Sequence, residues 1–341
     1  MALTLGDIGE FGLIDRIAKK AFANQEMALG FQDDAALWHQ GTGWLVATTD
    51  ALVEDVDFRL GTFSWEEIGW KALAASLSDI AAMGGTPVGA FITLCLPAKC
   101  EIADVTAFYE GMAPLAKESR TPILGGDLSS SEQVIVNVAV FGEVESRERV
   151  LLRTTAQVGD QIAVTGVLGS ASAGLMLLER GDSGRNSHAV RFTSAQRRPI
   201  PRLREGRALV EAGVRCGMDV SDGLVADLQK LCAASGVAAE IKLEDIPTDP
   251  ELPLILGRSH RTRAICGGED FELLFAAPPD TMQRAKDHLN AKTLEQATVI
   301  GTIVSGHSGV VTVRDERGIV VPVDRLGFDH FGADGIPIPG D

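Results

Sequence analysis

Apolar and polar positions follow two different periods along this chain of 341 residues. Helical spacing of apolar residues predicts an entry loop and an amphipathic helix within 6–28, and further helices over 65–83 and 103–119. Alternating or short continuous apolar runs predict strands at 44–47, 88–96, 121–127 and 134–144. Ser64 followed by Glu67 forms a capping box, which marks the start of the second helix. The N-terminal half therefore has the pattern of an α+β arrangement.

The second half of the chain begins after a charged stretch at 145–153, which predicts a domain boundary. We expect an N-terminal domain over 1–148 and a C-terminal α/β domain over 149–341. A glycine-rich segment, 166–174, predicts a helix start that either holds phosphate through backbone N–H groups or packs closely against a neighbour. The polar and basic segment 181–199 predicts a loop.

Short oxygen-bearing side chains collect where predicted strands end. The first group follows the strand at 44–47 and contains Thr48, Thr49 and Asp50. The second group, at 219–222, precedes Gly223 and a predicted helix. Such oxygen donors suit hard cations such as Mg²⁺. Taken singly, each group is equally compatible with solvated acids at the exit of a strand.

Further acids occur in places where a carboxylate needs a partner. Asp33 and Asp34 interrupt an apolar strand pattern, Asp79 lies within an apolar helix, and Asp127 follows two glycines. Two carboxylates 4 Å apart repel by roughly 4 kcal/mol at an effective dielectric constant of 20. A shared cleft therefore requires cations, and several Mg²⁺ ions with a polyphosphate would balance the charge. Phosphoryl transfer by positioning and electrostatics fits such a site.

The overall composition excludes several other classes of protein. A net charge of −16 argues against a nucleic-acid partner. The five cysteines show no CxxC spacing, and the six histidines form no HExxH motif, so we expect reduced thiols and no zinc site. No apolar run reaches the roughly 20 residues that span a bilayer, and residues 1–12 lack signal-peptide features. These features predict a cytoplasmic protein without a membrane partner.

The acidic motifs occur in a specific order: GFQDDAAL, TTDALVEDVDF, SLSDIAAMGG, GGD, MDVSDGL, GGEDFEL and GFDHF. Over residues 9–331 this order resembles the thiamine-monophosphate kinase family of the aminoimidazole ribonucleotide synthetase superfamily. The resemblance implies a two-domain aminoimidazole ribonucleotide synthetase-like fold, α+β / α/β, whose N-terminal sheet pairs across a homodimer. It implies ATP- and Mg²⁺-dependent phosphorylation of thiamine monophosphate to thiamine diphosphate by direct in-line transfer.

The resemblance also implies roles for individual residues. The implied ligands of several Mg²⁺ ions are Asp34, Thr48, Thr49, Asp50, Asp79, Asp127, Asp219 and Asp222. The implied contacts to ATP are Gly126, Asp127, Arg153, Ser221 and Tyr109, and the implied contacts to the substrate are Asp57, Glu269 and Phe328. Asp50 and Asp222 position the reactants. No side chain serves as an acid or base, because a phosphate monoester with a second pKa near 6 is already ionised at neutral pH.

The chain departs from the family pattern at several positions. Gln32 replaces a usual Gly, Ser76 a usual Asn, and Leu128 a common Thr; Asp55 and Asp57 replace Gly and a substrate-contacting His. An ionised Asp57 only accepts hydrogen bonds and would repel a phosphate. Either Asp57 reaches the phosphate through Mg²⁺, or it turns away and leaves a Lys or Arg to bind, or the substrate differs. We favour the bridge through Mg²⁺.

Two other functions are compatible with the motifs. One is a superfamily relative that activates a carbonyl oxygen with ATP, using a reactive Cys near the N-terminus or in a C-terminal tail. This chain has no cysteine before Cys95 and none after Cys266. The other is a non-catalytic nucleotide-binding paralogue, against which the retained acids argue. Turnover of ATP separates the paralogue from the two enzymes.

Overall fold

The chain folds around two six-stranded sheets, which follow one another along the sequence. The computed structural model describes residues 4–18, 20, 28–29, 33–41, 43–182, 184, 186–323 and 327–328. The first sheet uses strands between residues 28 and 144, and the second uses strands between 161 and 314. Gln32 and the last three residues of the GFDHF motif lie outside the described residues.

The first sheet is mixed, with strand order β1-β2-β3-β6-β4-β5. Only β4 and β5 run parallel to each other, and the other neighbours are antiparallel. The strands are β1 (Ala28–Leu29), β2 (Ala36–Gln40), β3 (Gly43–Val53), β4 (Thr86–Leu96), β5 (Ile123–Ser130) and β6 (Ile135–Val144). Alternate residues of β6 are buried, and β4 alternates in the same way on either side of its bulge, as expected for a sheet with one covered face.

Three helices accompany this sheet: α1 (Leu5–Ala18), α2 (Trp65–Ala82) and α3 (Ile102–Ser119). The capping box at the start of α2 is confirmed, since the Ser64 side chain accepts from the Glu67 N–H and the Glu67 side chain accepts from the Ser64 N–H. Thirteen of the 18 residues of α2 are buried. A helix that is apolar nearly all round lies inside a protein, and α2 packs on the sheet, on α3 and on the second half of the chain.

Helices α2 and α3 cross with their backbones in contact. A Cβ atom at Gly69 would lie 1.9 Å from the Phe108 carbonyl oxygen, and one at Gly111 would lie 2.0 Å from the Glu66 carbonyl oxygen. Both distances are far below van der Waals contact, so only glycine fits at either position. The crossing fixes α2, and with it every functional side chain that α2 carries.

The second sheet is also mixed, with strand order β12-β9-β11-β7-β10-β8. Its only parallel neighbours are β9 and β12. Its strands are β7 (Gln161–Thr165), β8 (Cys216–Asp219), β9 (Ala238–Lys242), β10 (Leu273–Ala277), β11 (Ala297–Val304) and β12 (Val311–Arg314). The central strands β7, β8 and β10 are buried along almost their whole length.

Seven α-helices flank the second sheet within the described residues. They are α4 (Ser170–Glu179), α5 (Ser187–Arg197), α6 (Leu203–Ala212), α7 (Leu224–Ser235), α8 (Leu252–Leu256), α9 (His260–Cys266) and α10 (Pro279–Lys292). The N-terminus of α4 is occupied from within: the Asp270 carboxylate accepts from the N–H groups of Gly169 and Ala171, at 2.7 and 3.1 Å. The close-packed interpretation of the glycine-rich segment therefore holds, because an internal carboxylate takes the place of a phosphate.

Four sequence-based predictions of secondary structure were wrong. An entry loop and a helix were predicted within 6–28, but α1 starts at Leu5 and ends at Ala18, and Ala28 belongs to β1. Strand β3 continues through the Thr-Thr-Asp segment to Val53, because the whole stretch pairs with β6. Strand β5 continues through Gly-Gly-Asp to Ser130, since Gly126 lets β4 approach to a distance that a Cβ atom would forbid. The predicted loop at 181–199 contains α5, whose buried residues Ala189, Phe192 and Gln196 recur at helical spacing.

The two sheets meet where α2 contacts β8 and α6. A Cβ atom at Gly206 on α6 would lie 2.1 Å from the Ala81 carbonyl oxygen on α2. The boundary at 148/149 stays a prediction, and the connecting segment hydrogen-bonds to both halves: the Leu151 N–H donates to Met83 and the Leu152 N–H donates to Arg215.

Within the described part of the chain, no helix combines the length and hydropathy that crossing a membrane requires. All five cysteines are free thiols.

The crossing of α2 and α3 leads to a prediction about stability. Gly69→Ala should lower the free energy of unfolding by about 2 kcal/mol, because the new methyl group overpacks the contact with Phe108. Gly61→Ala is the matched control: no atom lies within 4 Å of its added Cβ, so its effect should stay within about 0.5 kcal/mol. Urea unfolding followed by circular dichroism measures both. Equal stability of the two variants would contradict the close crossing.

Candidate active site

Three carboxylates from distant parts of the chain converge where the two sheets meet. Asp34 precedes β2, Asp79 lies in the last turns of α2, and Asp219 ends β8. One oxygen from each lies within 4.8 Å of the others. We call these three residues the carboxylate cluster. The sequence-based prediction that β8 ends at Asp219 and that α7 starts at Leu224 is confirmed.

Hydroxyl groups hold two members of the carboxylate cluster. The Thr48 hydroxyl, from β3, donates to Asp79. The Ser78 hydroxyl, from α2, donates to Oδ2 of Asp219 at 2.5 Å. Because α2 packs on β3 and on β8 at the same time, its adjacent residues Ser78 and Asp79 form hydrogen bonds to both halves of the chain.

Arg153 supplies the positive charge nearest to the cluster. Its guanidinium contacts the Asp34 carboxylate through Nε at 3.3 Å and through Nη2, and its backbone N–H donates to Asp33 at 2.9 Å. The Asp34 side chain in this pair is only 1% exposed. Burial works against the charge of Arg153, but the carboxylate of Asp34 outweighs it and raises the pKa of the guanidinium above its usual value.

The cluster carboxylates are electrostatically unfavourable without a further cation. Burial, followed by the charges of Asp50, Asp219 and Asp34, raises the pKa of Asp79 well above its usual range. Burial, followed by the charge of Asp34, does the same to the pKa of Asp219. Burial and the neighbouring Asp34 raise the pKa of Asp33 to about 7. Like charges in a buried site favour the protonated forms unless a cation offsets them.

The donor set fits a divalent metal ion. The cluster provides carboxylate oxygens, which are the ligands that Mg²⁺ prefers. Oδ1 of Asp219 is buried and has no hydrogen-bond partner, although a buried carboxylate oxygen is costly when unpaired. A cation at the cluster would satisfy this oxygen and offset the repulsion, so the residues present match the group that the sequence predicts.

A second acidic group surrounds the 220–223 loop. The Asp227 carboxylate accepts from three consecutive N–H groups, those of Ser221, Asp222 and Gly223, each at 3.1 Å. Lys230 bridges Asp222 and Asp227. Burial raises the pKa of Asp227 to about 6 in spite of the Lys230 charge. The loop geometry is therefore fixed by groups of the chain itself.

Two residues that the sequence assigns to the substrate lie beside this loop. The Glu269 N–H donates to the Ser221 carbonyl at 2.8 Å, and the Phe328 N–H donates to the Asp222 carbonyl at 3.1 Å. Glu269 has a left-handed φ of 67°. Its side chain is 30% exposed and forms an ion pair with Lys71. Ser221, Asp222, Glu269 and Phe328 thus share one region of the surface.

Other predicted residues do not join the cluster within one chain. Asp50 on β3 pairs with Val138 on β6, Val138 pairs with Ile92 on β4, and Ile92 pairs with Gly126 on β5. Asp50 and Gly126 are therefore three strand spacings apart, or about 14 Å. Asp127 is exposed on β5. Because side chains alternate along a strand, Thr49 lies on the face opposite Asp50, where its hydroxyl donates to Asn137 at 3.0 Å.

Two further residues from the predicted site, Tyr109 and Asp57, contact near neighbours in the sequence. Tyr109 lies on α3, and its ring packs edge-on against Phe108 with centroids 5.3 Å apart. The Asp57 carboxylate accepts from the Val53 N–H at 2.8 Å, in the turn that follows β3. This contact orients Asp57 toward its own turn, and its Mg²⁺ bridge stays a prediction.

The sequence analysis did not identify Lys71, Gln196, Asp227 or Lys230 as functional candidates. Lys71 is a lone cation on an apolar helix, seven residues before Ser78, and two helical turns place both on one face. Asp227 occupies the first turn of α7, a position that favours contact with free N–H groups. Gln196 had no such indication, because its helix was predicted as a loop.

Comparisons with known proteins agree with this architecture. The models of the AIR synthase related protein family match the chain over residues 32–144, as the N-terminal domain, and over 157–314, as the C-terminal domain. Escherichia coli HypE, a hydrogenase maturation protein, has the same fold with a TM-score of 0.70 at 22% identity, covering 95% of this chain and 98% of HypE. At that identity the likeness concerns the fold alone.

Nearer relatives carry a more specific name. The thiamine-monophosphate kinase of Bacillus subtilis is 36% identical over 94% of this chain and 99% of its own length. A solved structure of AaThiL complexed with AMPPCP and TMP matches with a TM-score of 0.84 at 32% identity, covering 97% of this chain and 99% of that one. On these matches, the chain belongs to the thiamine-monophosphate kinase family of AIR synthase-related proteins, with their two-domain α+β fold.

Proposed function

We propose that this chain transfers the γ-phosphoryl group of ATP to thiamine monophosphate and releases thiamine diphosphate and ADP. The observation that carries the proposal is the carboxylate cluster, three converging acids at the junction of the two sheets. Its support comes from relatives named thiamine-monophosphate kinase and from a relative that binds AMPPCP and TMP. Polyphosphate chemistry requires such a convergence of ligands for cations.

Mg²⁺ is the metal that this donor set suits. Asp34, Asp79 and Asp219 would hold it, and Asp50 contributes negative charge to the same region. The remaining proposed ligands are Thr48, Thr49, Asp127 and Asp222. When bound, Mg²⁺ offsets the charge of the carboxylates and of the phosphates that approach them. We place the reaction in the cytoplasm, where free cysteines stay reduced.

The reaction needs no proton transfer from a side chain. A phosphate oxygen of thiamine monophosphate, already ionised at neutral pH, attacks the γ-phosphorus. The bond from that phosphorus to the β-phosphate oxygen breaks, and ADP leaves with the electron pair. The side chains of the protein contribute position and charge. Arg153, which is paired with Asp34, is proposed to bind a phosphate group of ATP. The other proposed contacts to ATP are Gly126, Asp127, Ser221 and Tyr109.

The thiamine part is proposed to bind beside the 220–223 loop. The backbone contacts of Glu269 and Phe328 to this loop support the assignment, because they hold both residues next to the proposed ligand Asp222. Asp57 remains a proposed contact to the substrate phosphate through Mg²⁺. The ammonium of Lys71, 3.1 Å from the Asp57 carbonyl oxygen, is a cation near the position where the family has a His.

We also propose that two copies of the chain pair through their N-terminal sheets. Seven of the eight residues of β5 are exposed, and among the described residues no further strand pairs with its outer edge. Apolar side chains are exposed on β4 and β5, among them Phe91, Leu124 and Leu128. An exposed apolar edge strand is a template for pairing with another chain. A second copy would also bring new neighbours to Thr49 and Asp127.

The activity is tested by product analysis with the purified protein, ATP, Mg²⁺ and thiamine monophosphate. We expect thiamine diphosphate and ADP to form in equal amounts, as measured by anion-exchange chromatography. Binding of Mg²⁺-ATP without turnover would contradict the proposal and favour a nucleotide-binding paralogue. Hydrolysis of ATP that needs a carbonyl substrate would favour the other superfamily chemistry.

The carboxylate cluster is tested by Asp79→Asn, which keeps the shape of the side chain and removes its charge. Turnover should fall by about 10²–10³, the usual cost of removing one group that stabilises the transition state electrostatically, because Asp79 would act on the phosphates through the Mg²⁺ it helps to hold. The unfolding midpoint should not fall, since burial already disfavours the charge of Asp79. Asp280→Asn, on the first turn of α10, is the control and should leave turnover unchanged. Wild-type turnover in Asp79→Asn would remove the cluster from the proposed mechanism.

Pairing of the N-terminal sheets is tested by Leu128→Lys, at a side chain that is 72% exposed on β5. Light scattering after size exclusion should give twice the 36.1 kDa of one chain for the wild type and a single chain for the variant. Leu294→Lys, at an equally apolar and 98% exposed position outside that sheet, should leave the mass unchanged. A monomeric wild type would contradict the pairing.

A further inference from the structure

Lys71 is among the largest fully buried side chains of the described residues. It lies on α2, and its side chain is 1% exposed. Its ammonium lies 2.6 Å from Oε1 of Glu269, donates to the Asp57 carbonyl oxygen at 3.1 Å, and lies 5.2 Å from the centroid of the Phe63 ring. A buried ammonium is tolerated only with such partners, and removal of one leaves an uncompensated charge.

Glu269 is held on both of its carboxylate oxygens. Lys71 binds Oε1 from α2, and the Gln196 side-chain amide donates to Oε2 from α5. The backbone of Glu269 is fixed as well, through its hydrogen bond to Ser221 and its left-handed φ. A left-handed φ is strained for a residue other than glycine, and such conformations cluster at functional sites. Helix α2, helix α5 and the 220–223 loop together therefore fix the position and orientation of the Glu269 carboxylate.

The contacts from Lys71 and Gln196 restrict which further groups the Glu269 carboxylate can bind. Glu269 pairs with the ammonium of Lys71 through one oxygen, and a carboxylate accepts hydrogen bonds but donates none. Each oxygen retains acceptor capacity beyond the bond it already makes. The exposed 30% of the side chain thus presents acceptors and negative charge to a ligand. A ligand group that also accepts hydrogen bonds would be repelled there.

Thiamine monophosphate carries one matching group. The exocyclic amine of its aminopyrimidine ring is its only N–H donor, while the thiazolium ring offers positive charge without an N–H. An analogue with an oxo group in place of that amine keeps the thiazolium charge and the phosphate, presents an acceptor at that position, and carries its N–H on the neighbouring ring nitrogen instead. The amine and the charge of the ring are therefore separable by experiment.

We propose that Lys71, assisted by Gln196, is a positioning residue that fixes Glu269 as an acceptor for the exocyclic amine and thereby selects the aminopyrimidine. The inference deepens the proposed function and rests on it. Lys71 does not touch the substrate, because it is enclosed by Glu269, Asp57 and Phe63. It acts through the orientation and charge of Glu269. A site built to hydrogen-bond a substrate amine rejects an analogue without it far more strongly than an apolar pocket does.

The experiment compares thiamine monophosphate with oxythiamine monophosphate, the 4-oxo analogue, in the wild type and in Lys71→Met. The wild type should prefer the amine by at least about a hundredfold in kcat/KM. In Lys71→Met this preference should fall at least about tenfold, through a higher KM for thiamine monophosphate. The KM for ATP should not change. Gln196→Leu should shift the preference in the same direction by a smaller factor.

Two controls separate positioning from general damage. Lys292→Met removes an exposed lysine that pairs with Glu211 on the far helices and should leave both kcat/KM values unchanged. The double variant Lys71→Met/Glu269→Gln should show the same preference as Glu269→Gln alone, because Lys71 acts only through Glu269. Additive losses in the double variant would contradict the proposal.

An unchanged preference in Lys71→Met, with both substrates weakened equally, would overturn the inference and leave Lys71 as a structural cation. If Lys71→Met does not fold, as judged by circular dichroism, Gln196→Leu and Glu269→Gln decide the same question. If the wild type turns over neither substrate, the proposed function fails first. Calorimetry then still measures the affinities of the wild type for thiamine monophosphate and for oxythiamine monophosphate. Equal affinities for the two compounds would overturn the role of Lys71.

Discussion

Mutual repulsion of carboxylates is the constraint on which this structure depends. Asp34, Asp79 and Asp219 bring their oxygens within 4.8 Å in a setting of low exposure, where burial and mutual charge raise the pKa of at least two of them. Such an arrangement persists only because the chain supplies compensation: hydroxyls from Thr48 and Ser78 and the guanidinium of Arg153. The compensation is partial, and a cation, such as the Mg²⁺ we propose there, would offset the remaining negative charge.

Helix α2 is the element that links the two ends of the proposed substrate. With 18 residues it is about 27 Å long. Its middle presents Lys71 to Glu269, and its last turns present Ser78 and Asp79 to the carboxylate cluster. Glycine contacts with α3 and with α6 fix the helix on two sides. A small rotation of α2 would therefore disturb the proposed metal ligands and the proposed contact to the thiamine part together.

The sequence predicted much of this arrangement, for identifiable reasons. The ends of α2 and β8 were predicted correctly because Ser64, Gly84 and Gly223 are strong local determinants. The continuation of β3 and β5 was missed because pairing across the sheet, which spacing along the chain does not reveal, overrides local breaks. The convergence of Asp34, Asp79 and Asp219 was expected from the recurrence of short oxygen ligands and from the family resemblance, whereas charge balance only added that a shared cleft needs cations. The roles of Lys71 and Asp227 were missed because both depend on contacts between segments that lie near each other only in the fold.

The 220–223 loop has a consequence for the thermodynamics of binding. One carboxylate, that of Asp227, already collects three successive N–H groups of the loop, and Lys230 ties that carboxylate to Asp222. A loop shaped in advance by its own side chains loses little conformational entropy when a ligand arrives. More of the interaction energy then remains available as affinity, and the loop does not depend on nucleotide or metal to acquire its shape.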